Sequence, residues 1–505
     1  MALSAYTSTN RSTLPVLPQS GESIGNAAAA LLAAHATVMA LGLATLLVLA
    51  GKTSLPNDGV TTLSFVLVVL AAWLLISWKL AGGKFLHPYG LFLLAAIPFH
   101  VGFSMLRIAR EDSQMLLLAE VSDASIARTL VLVTACLAAL HLGALTAHAW
   151  YAYLETGPTS TAETADDADV RTVGWILLSV SLVPTILMLA GHVQTVFAGG
   201  YLELFLLERS LETATPGMAV QRLLSPFFIP GIMFLVAGSR NSPGARRTAF
   251  ALLTLYSVVY LYVGFRANAL IPLAVFAWLW HRSVRRLPLG LIGAAGAGFL
   301  VLVAPIIRAV RDVSGLDRLS PSALMDAYAS GQNPLTSLLS ELGSTVFVVS
   351  YTTELVPSVR PHEWGVGYLH ALVNAIPMVT WHDPYGNAGD WLAWELRPDW
   401  AEGGFGFAYS FIAEAYLNFG WLGAPIMMIA FGAAIVALSR WVSRGADAVR
   451  YGFVAAFLPT LIFMVRNESI TLSRTLFWYA LLPLAAVHFL RTTRRRHGKV
   501  EVFRG

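Results

Sequence analysis

Residues 407–440 read FAYSFIAEAYLNFGWLGAPIMMIAFGAAIVALSR, and Glu414 and Arg440 are the only Asp, Glu, Lys or Arg among them. A helix of about 20 apolar residues crosses a hydrocarbon core of ~30 Å, so this run is long enough to span a bilayer. The stretch before it has the opposite character. Residues 308–406 carry Glu341, Glu354, Glu363, Asp390, Glu395 and Asp399, with Trp364, Trp381, Trp391, Trp394 and Trp400 interleaved. Polar, aromatic sequence that gives way to an apolar run marks a chain passing from an aqueous face into the membrane.

The apolar texture recurs on both sides. Hydrophobic residues make up 56% of the 505 residues, charged residues 12%, and the mean hydropathy is +0.65. A soluble domain carries roughly 25% charged residues. The expected fold is therefore all-α and polytopic, with about twelve transmembrane helices. They fall near 26–50, 60–78, 89–106, 128–153, 172–191, 218–239, 248–264, 267–281, 288–307, 407–440, 451–465 and 475–490, and the tenth begins as an interfacial helix. Five regions follow: a cytoplasmic tail over 1–25, helices one to nine over 26–307, a large extracytoplasmic loop over 308–406, helices ten to twelve over 407–490, and a basic cytoplasmic tail over 491–505.

Orientation follows from the excess of Lys and Arg in cytoplasmic junctions. Arg240–Arg247, Arg282–Arg286, Arg440–Arg450 and Arg491–Arg504 alternate so as to share one side, which places both termini in the cytoplasm. The junction from Glu155 to Arg171 is acidic but falls on the same side. Residues 1–26 lack a basic segment before an apolar core, so the first span is expected to act as its own insertion signal. Cys136 is the sole cysteine and forms no disulfide framework. The net charge of +4 is dispersed over junctions, so nucleic acid is not an expected partner.

Chemistry is expected on the opposite face. Lys52 is the only lysine there, so its cations are almost all arginine, which grips phosphate through a planar fork. Arg266 lies in the tight turn Gly264-Phe265-Arg266-Ala267-Asn268. Arg308 and Arg311 follow the ninth span three residues apart, one helical face. Arg466 and Arg474 bound the link between the last two spans. Each alone also fits an interfacial anchor. Together they form a candidate pyrophosphate site.

Candidate acids and bases are Glu414, Glu341 and His370, in that order. Glu414 and Asn418 are four apart and share a helix face. A carboxylate at a membrane boundary suits a general base, and also a plain inter-helix hydrogen bond. Trp364, Tyr368, Trp391, Tyr416 and Asn418 are candidate sugar contacts, because aromatic faces pack on sugar C–H faces and also form interfacial belts. His362, His370 and His382 do not have the spacing of a recognised ligand set, so no metal is expected.

Residues Ser340–Phe347, the run Gly403-Gly404-Phe405-Gly406-Phe407 leading to Glu414-Ala415-Tyr416-Leu417-Asn418-Phe419-Gly420, and the turn around Arg466 resemble Wzy-type O-antigen polysaccharide polymerases. The likeness covers about residues 250–490. It implies a fold like that of lipid-donor (GT-C-like) glycosyltransferases and an inner-membrane enzyme with a periplasmic active face. Such an enzyme moves a nascent glycan from undecaprenyl pyrophosphate to an incoming lipid-linked repeat, without metal or other cofactor. Partners implied are undecaprenyl-pyrophosphate-linked glycans, membrane lipids, a chain-length regulator and a flippase. An O-antigen ligase uses the same donor. A lipid-monophosphate glycosyltransferase is a further alternative, and a flippase or transporter is the alternative from a different class.

Overall fold

A computed structural model of the chain describes residues 29–36, 38–39, 59–115, 120–154, 167–210, 216–299, 333–376, 387–402, 406–443 and 447–502, with single positions at 303, 307, 320, 322 and 325. Every regular element among them is helical. In chain order α1 (Gly59–Leu80), α2 (Pro88–Ala109) and α3 (Asp123–Leu154) precede α4 (Ala168–Ser210), α5 (Pro216–Leu224) and α6 (Phe228–Ala237). Then come α7 (Pro243–Val263), α8 (Arg266–Ser283) and α9 (Leu289–Gly298). Shorter helices follow: α10 (Pro334–Gly343), α11 (Thr345–Leu355), α12 (Val366–Val373), α13 (Ala388–Leu396) and α14 (Pro398–Glu402). The last four are α15 (Phe411–Ser443), α16 (Ala448–Phe463), α17 (Ser469–Thr475) and α18 (Leu482–Val502).

Among the described residues, eight stretches are long and apolar enough to cross a membrane: Gly59–Leu80, Pro88–Ala109, Asp123–Tyr153, Ala168–Tyr201, Val220–Ala237, Phe411–Ser443, Ala448–Arg466 and Ser469–Arg495. The chain is a multi-pass membrane protein. Two of the remaining expected spans, the seventh and eighth, differ for a physical reason, and the ninth lies partly outside the described residues. Helices α7 and α8 lie where the seventh and eighth were expected, but Arg246 and Arg247 enter the first and Arg266 and Arg282 bound the second, shortening each charge-free stretch. Of the first expected span only 29–36 and 38–39 are described, and these are helical.

The stretch expected as a large loop is helical over much of its described length. Residues Thr345–Thr352 of α11 are all buried, as their Val346-Phe347-Val348-Val349 run requires. Helix α11 packs against α3 and α15, and α10 against α2, so both belong to the bundle.

Helices α3 and α15 pack tightly along an extensive interface. A Cβ on Gly143 would fall 1.9 Å from the Ile429 carbonyl oxygen, and one on Gly432 would fall 1.9 Å from that of Leu140. Lipid tails are as apolar as leucine, so membrane helices associate mainly by close packing, and small residues permit it. Helix α16 is buried along most of its length, packing on α6 and α8. His100 of α2 donates from Nε2 to the Val465 carbonyl (3.2 Å), tying α2 to the turn that follows α16.

The junctions separate into two ends, as their alternation in sequence requires. At one, Arg491 pairs with Asp167, Arg494 pairs with Asp169 at 2.6 Å, and Arg171 donates to the Gly238 carbonyl (3.2 Å). Lys84 there sits among Arg282, Arg286, Arg440 and Lys79. The other end holds Arg266 with Glu341, Arg397 with Glu120, and the side chains around Glu414.

Candidate active site

Glu414 lies in the first two turns of α15, where Phe411 to Asn418 are buried without exception. This is the start of the tenth expected span, and protein encloses it. The helix breaks at Gly420, whose backbone has φ 66° and ψ −161°, a conformation essentially reserved for glycine. A Cβ there would also stand 3.2 Å from His362 Nε2.

The break frees helical carbonyls that must find other donors. Glu363 N–H donates to the Leu417 carbonyl (3.2 Å) and Trp364 N–H to that of Asn418 (2.8 Å). Residues 360–364 are thereby stitched to the end of the buried segment. Tyr416 supports the same loop by donating its hydroxyl to the Val356 carbonyl (3.2 Å).

The stitched loop delivers Arg360, only 2% exposed, to the site. Its guanidinium pairs with Glu363 and lies 5.1 Å from the ring centre of Trp391 on α13. Helix α13 is held from the other side. Glu468 accepts from Ala388 N–H (3.1 Å) and Gly389 N–H (2.8 Å), satisfying donors of its first turn. Glu414 acts likewise on the start of α17, accepting from Ser469 N–H at 3.0 Å and from Ser469 Oγ–H at 2.5 Å. Asn418 donates Nδ2 to the Glu414 carbonyl (3.0 Å).

Arg360, Glu363, Gly367, His370, Glu414, Glu468 and Ser469 share one cavity of about 30 Å³. That volume suits roughly one or two water molecules. Three carboxyl groups face one guanidinium across it. Burial pushes the Glu468 carboxyl up, and Asp390 adds to the rise, while the two α13 N–H groups and Arg360 pull the other way. Tyr368 is pushed up by burial first, then by Glu414 and Glu363, and keeps its proton.

The remaining sequence candidates fall at several places. His370 lines the cavity and meets Asn374 Nδ2 through Nε2 at 2.5 Å. Glu341 pairs with Arg266, so two groups read as separate candidates are partners. Arg466 is half-buried and Arg474 exposed, at the two ends of the turn and helix that carry Glu468 and Ser469. Arg308, Arg311 and His382 lie outside the described residues. Of the aromatic set, Trp364 is 75% exposed and Tyr368 half-buried and stacked on Phe419, whereas Trp391, Tyr416 and Asn418 are buried against protein.

Sequence reasoning gave no role to Arg360 or Glu363. The available signal was Val356-Pro357-Ser358-Val359-Arg360-Pro361, an arginine between prolines with an acid three residues on. Glu468 lies between Arg466 and Arg474 in sequence, and its carboxylate accepts from backbone N–H groups of α13.

An all-helical membrane protein with this buried carboxylate at the head of α15 matches the family model of the O-antigen polysaccharide polymerase Wzy over residues 35–495, nearly the whole chain. The chain belongs to that family. The match extends the resemblance, read in sequence over 250–490, through the first half of this Wzy-family enzyme. No curated protein and no solved structure matches the chain.

Proposed function

We propose that the chain polymerises undecaprenyl-pyrophosphate-linked oligosaccharide repeats, transferring the nascent glycan to the terminal sugar of the incoming repeat. Family membership over nearly its whole length carries the reading. In the transfer, an acceptor hydroxyl oxygen bonds to the anomeric carbon of the donor sugar. The bond from that carbon to the pyrophosphate oxygen breaks, and its electron pair leaves with the pyrophosphate. The acceptor proton goes to Ser469 Oγ while the serine proton passes to Glu414, along the hydrogen bond already present. Glu341 and His370 are the other candidates for the base.

Charge gathers on the departing pyrophosphate, and fixed cations stabilise it in place. Arg466 and Arg474 flank the helix that bears Ser469, and Arg266, Arg308 and Arg311 complete the proposed set. Trp364 and Tyr368 offer aromatic surface to sugar. The reaction needs no metal in this scheme. We assign the site to the periplasmic face of the inner membrane, with about twelve spans in a GT-C-like arrangement and both termini cytoplasmic. A chain-length regulator and a flippase are proposed partners.

Purified chain in lipid nanodiscs, given only lipid-linked repeats and EDTA, should produce a ladder of glycans. Repeats alone giving no ladder would mark a ligase, and strict metal dependence would overturn the scheme.

A further inference from the structure

A second cavity, of about 410 Å³, lies at the opposite end of α13 from Glu468 and is lined by Glu120, Tyr351, Leu396, Arg397 and Phe407. Its volume is in the range of sites that enclose small ligands, roughly 300–1,000 Å³. The lining comes from distant parts of the chain: the segment before α3, helix α11, the end of α13 and the segment before α15.

The polar groups converge. Arg397 pairs with Glu120, and Tyr351 donates its hydroxyl to Glu120 Oε2 (3.2 Å). Burial first, and then the Glu120 carboxylate, pushes the Tyr351 hydroxyl up to about 12, so it remains a donor at neutral pH. Trp400 is 51% exposed beside them, with Arg397 5.6 Å from its ring centre and Phe407 6.4 Å from it, ring to ring.

This chemistry separates ligand classes. Glu120 opposes a phosphate, and Arg397 opposes an ammonium group. A carboxylate, a guanidinium and a hydroxyl around an open indole instead match an uncharged, hydroxyl-rich ligand with an apolar face. Helix α13 sets the distance. It begins at Glu468 beside Ser469 and ends at the larger cavity, and nine residues at 1.5 Å each span roughly 13 Å. Phe407 N–H donates to the Gly389 carbonyl (3.2 Å), joining the rim of the larger cavity to the start of α13.

We propose that the cavity around Glu120, Tyr351 and Arg397 is a glycan-binding subsite, one that grips the extended oligosaccharide one helix length from the bond being made. Its role in polymer growth rests on the polymerase reading; its affinity for glycan does not. A grip at that distance touches only chains already longer than the reacting sugars. It therefore favours continued growth of a long chain over its release.

The test uses full-length chain in nanodiscs, with Glu120→Gln, Tyr351→Phe and Trp400→Ala made separately. The Phe variant removes one hydroxyl and guards against a folding artefact in the others. Two readouts are taken: binding of lipid-free polysaccharide released by mild acid from the source strain, and the ladder formed from lipid-linked repeats. Wild type should bind the released glycan, and the variants should bind it roughly tenfold more weakly, the loss of about one to two hydrogen bonds or one stacked face. Ladders should shift to shorter products while the first coupling stays within about twofold of wild type. Wild type that binds no released glycan overturns the subsite, as do three variants that bind like wild type. A first coupling that falls in step with ladder length overturns its remoteness from the reaction. Glycan binding that is lost in the variants, from a wild type that builds no ladder, sustains the subsite and overturns the polymerase reading instead.

Discussion

Lys84 and Arg360 mark two ways of holding positive charge at a membrane. Lys84 is exposed, in the junction between α1 and α2, with Arg282, Arg286, Arg440 and Lys79 as its nearest charges. Partial desolvation of its otherwise exposed side chain, and then these like charges, hold its ammonium below the usual lysine range. Arg360 is enclosed, and its counter-charge Glu363 and its aromatic partner Trp391 come from the protein itself. The first region is a cluster of like charges, of the kind that anionic headgroups compensate. The second is compensated internally, so its geometry does not depend on what surrounds the protein. Chemistry that must place a leaving group needs the second kind.

The largest expected effect comes from breaking the internal pair. Arg360→Met leaves Glu363 facing Glu414 and Glu468 with no cation in the cavity, and removing one member of a buried pair costs about 3–5 kcal/mol. Thermal unfolding should fall sharply, and adding Glu363→Gln should recover part of the loss. A double variant no better than the single would break the account of Arg360 as an internally balanced charge.

Glu414→Gln keeps the shape and one acceptor but cannot take a proton. Chain extension should fall by roughly 10²-fold or more, the usual contribution of a general base, with little change in melting. Near-normal extension would remove Glu414 from the chemistry and leave it as the cap of α17.

Gly420→Ala forces a side chain into a glycine conformation and towards His362, at about 1–3 kcal/mol. The expected result is slower extension together with faster hydrogen exchange at the Glu363 and Trp364 amides. Unchanged exchange would mean that the stitch does not hold the loop.

The effect of pH is smaller and has a definite sign. The Glu468 carboxyl is raised in the folded chain, so the native state keeps a proton that the unfolded chain releases near pH ~4.3. Its contribution to stability is complete below that point and is lost as pH rises through the raised value. The melting temperature of Glu468→Gln should therefore change less over that interval than wild type, and parallel curves would contradict the assignment. The smallest effect belongs to the other region. Lys84→Gln should alter melting by no more than about 0.5 kcal/mol and weaken the response of stability to anionic lipid. A large loss in neutral lipid would erase the contrast between the two ends.

Long apolar helices were legible because a bilayer demands about 20 apolar residues, and the two ends were legible because charge alternates along the junctions. Glu414 stood out as an acid in an apolar run. Arg360 did not, because a loop has no period, and what defines that residue, Trp391 and Glu363, depends on where chain segments meet. The same limit explains Trp391 and Tyr416: an aromatic in irregular sequence reads alike whether it faces sugar or packs beneath an arginine. Glu341 and Arg266 are 75 positions apart, so nothing local revealed them as partners. The spans around α7 and α8 were read from their apolar centres, and the arginines at their ends lower the hydropathy of the whole helices.

Residues 363 and 364 attach to 417 and 418 through their peptide groups, with the neighbouring His362 ring donating from Nδ1 to the Leu417 carbonyl as well (3.3 Å). Trp364 therefore contributes its backbone to the anchorage while its indole projects into the surroundings. Another residue able to hold the left-handed backbone found there (φ 52°) would inherit the same foothold. The surface presented to a glycan can thus diverge between relatives while the scaffold beneath it keeps its register.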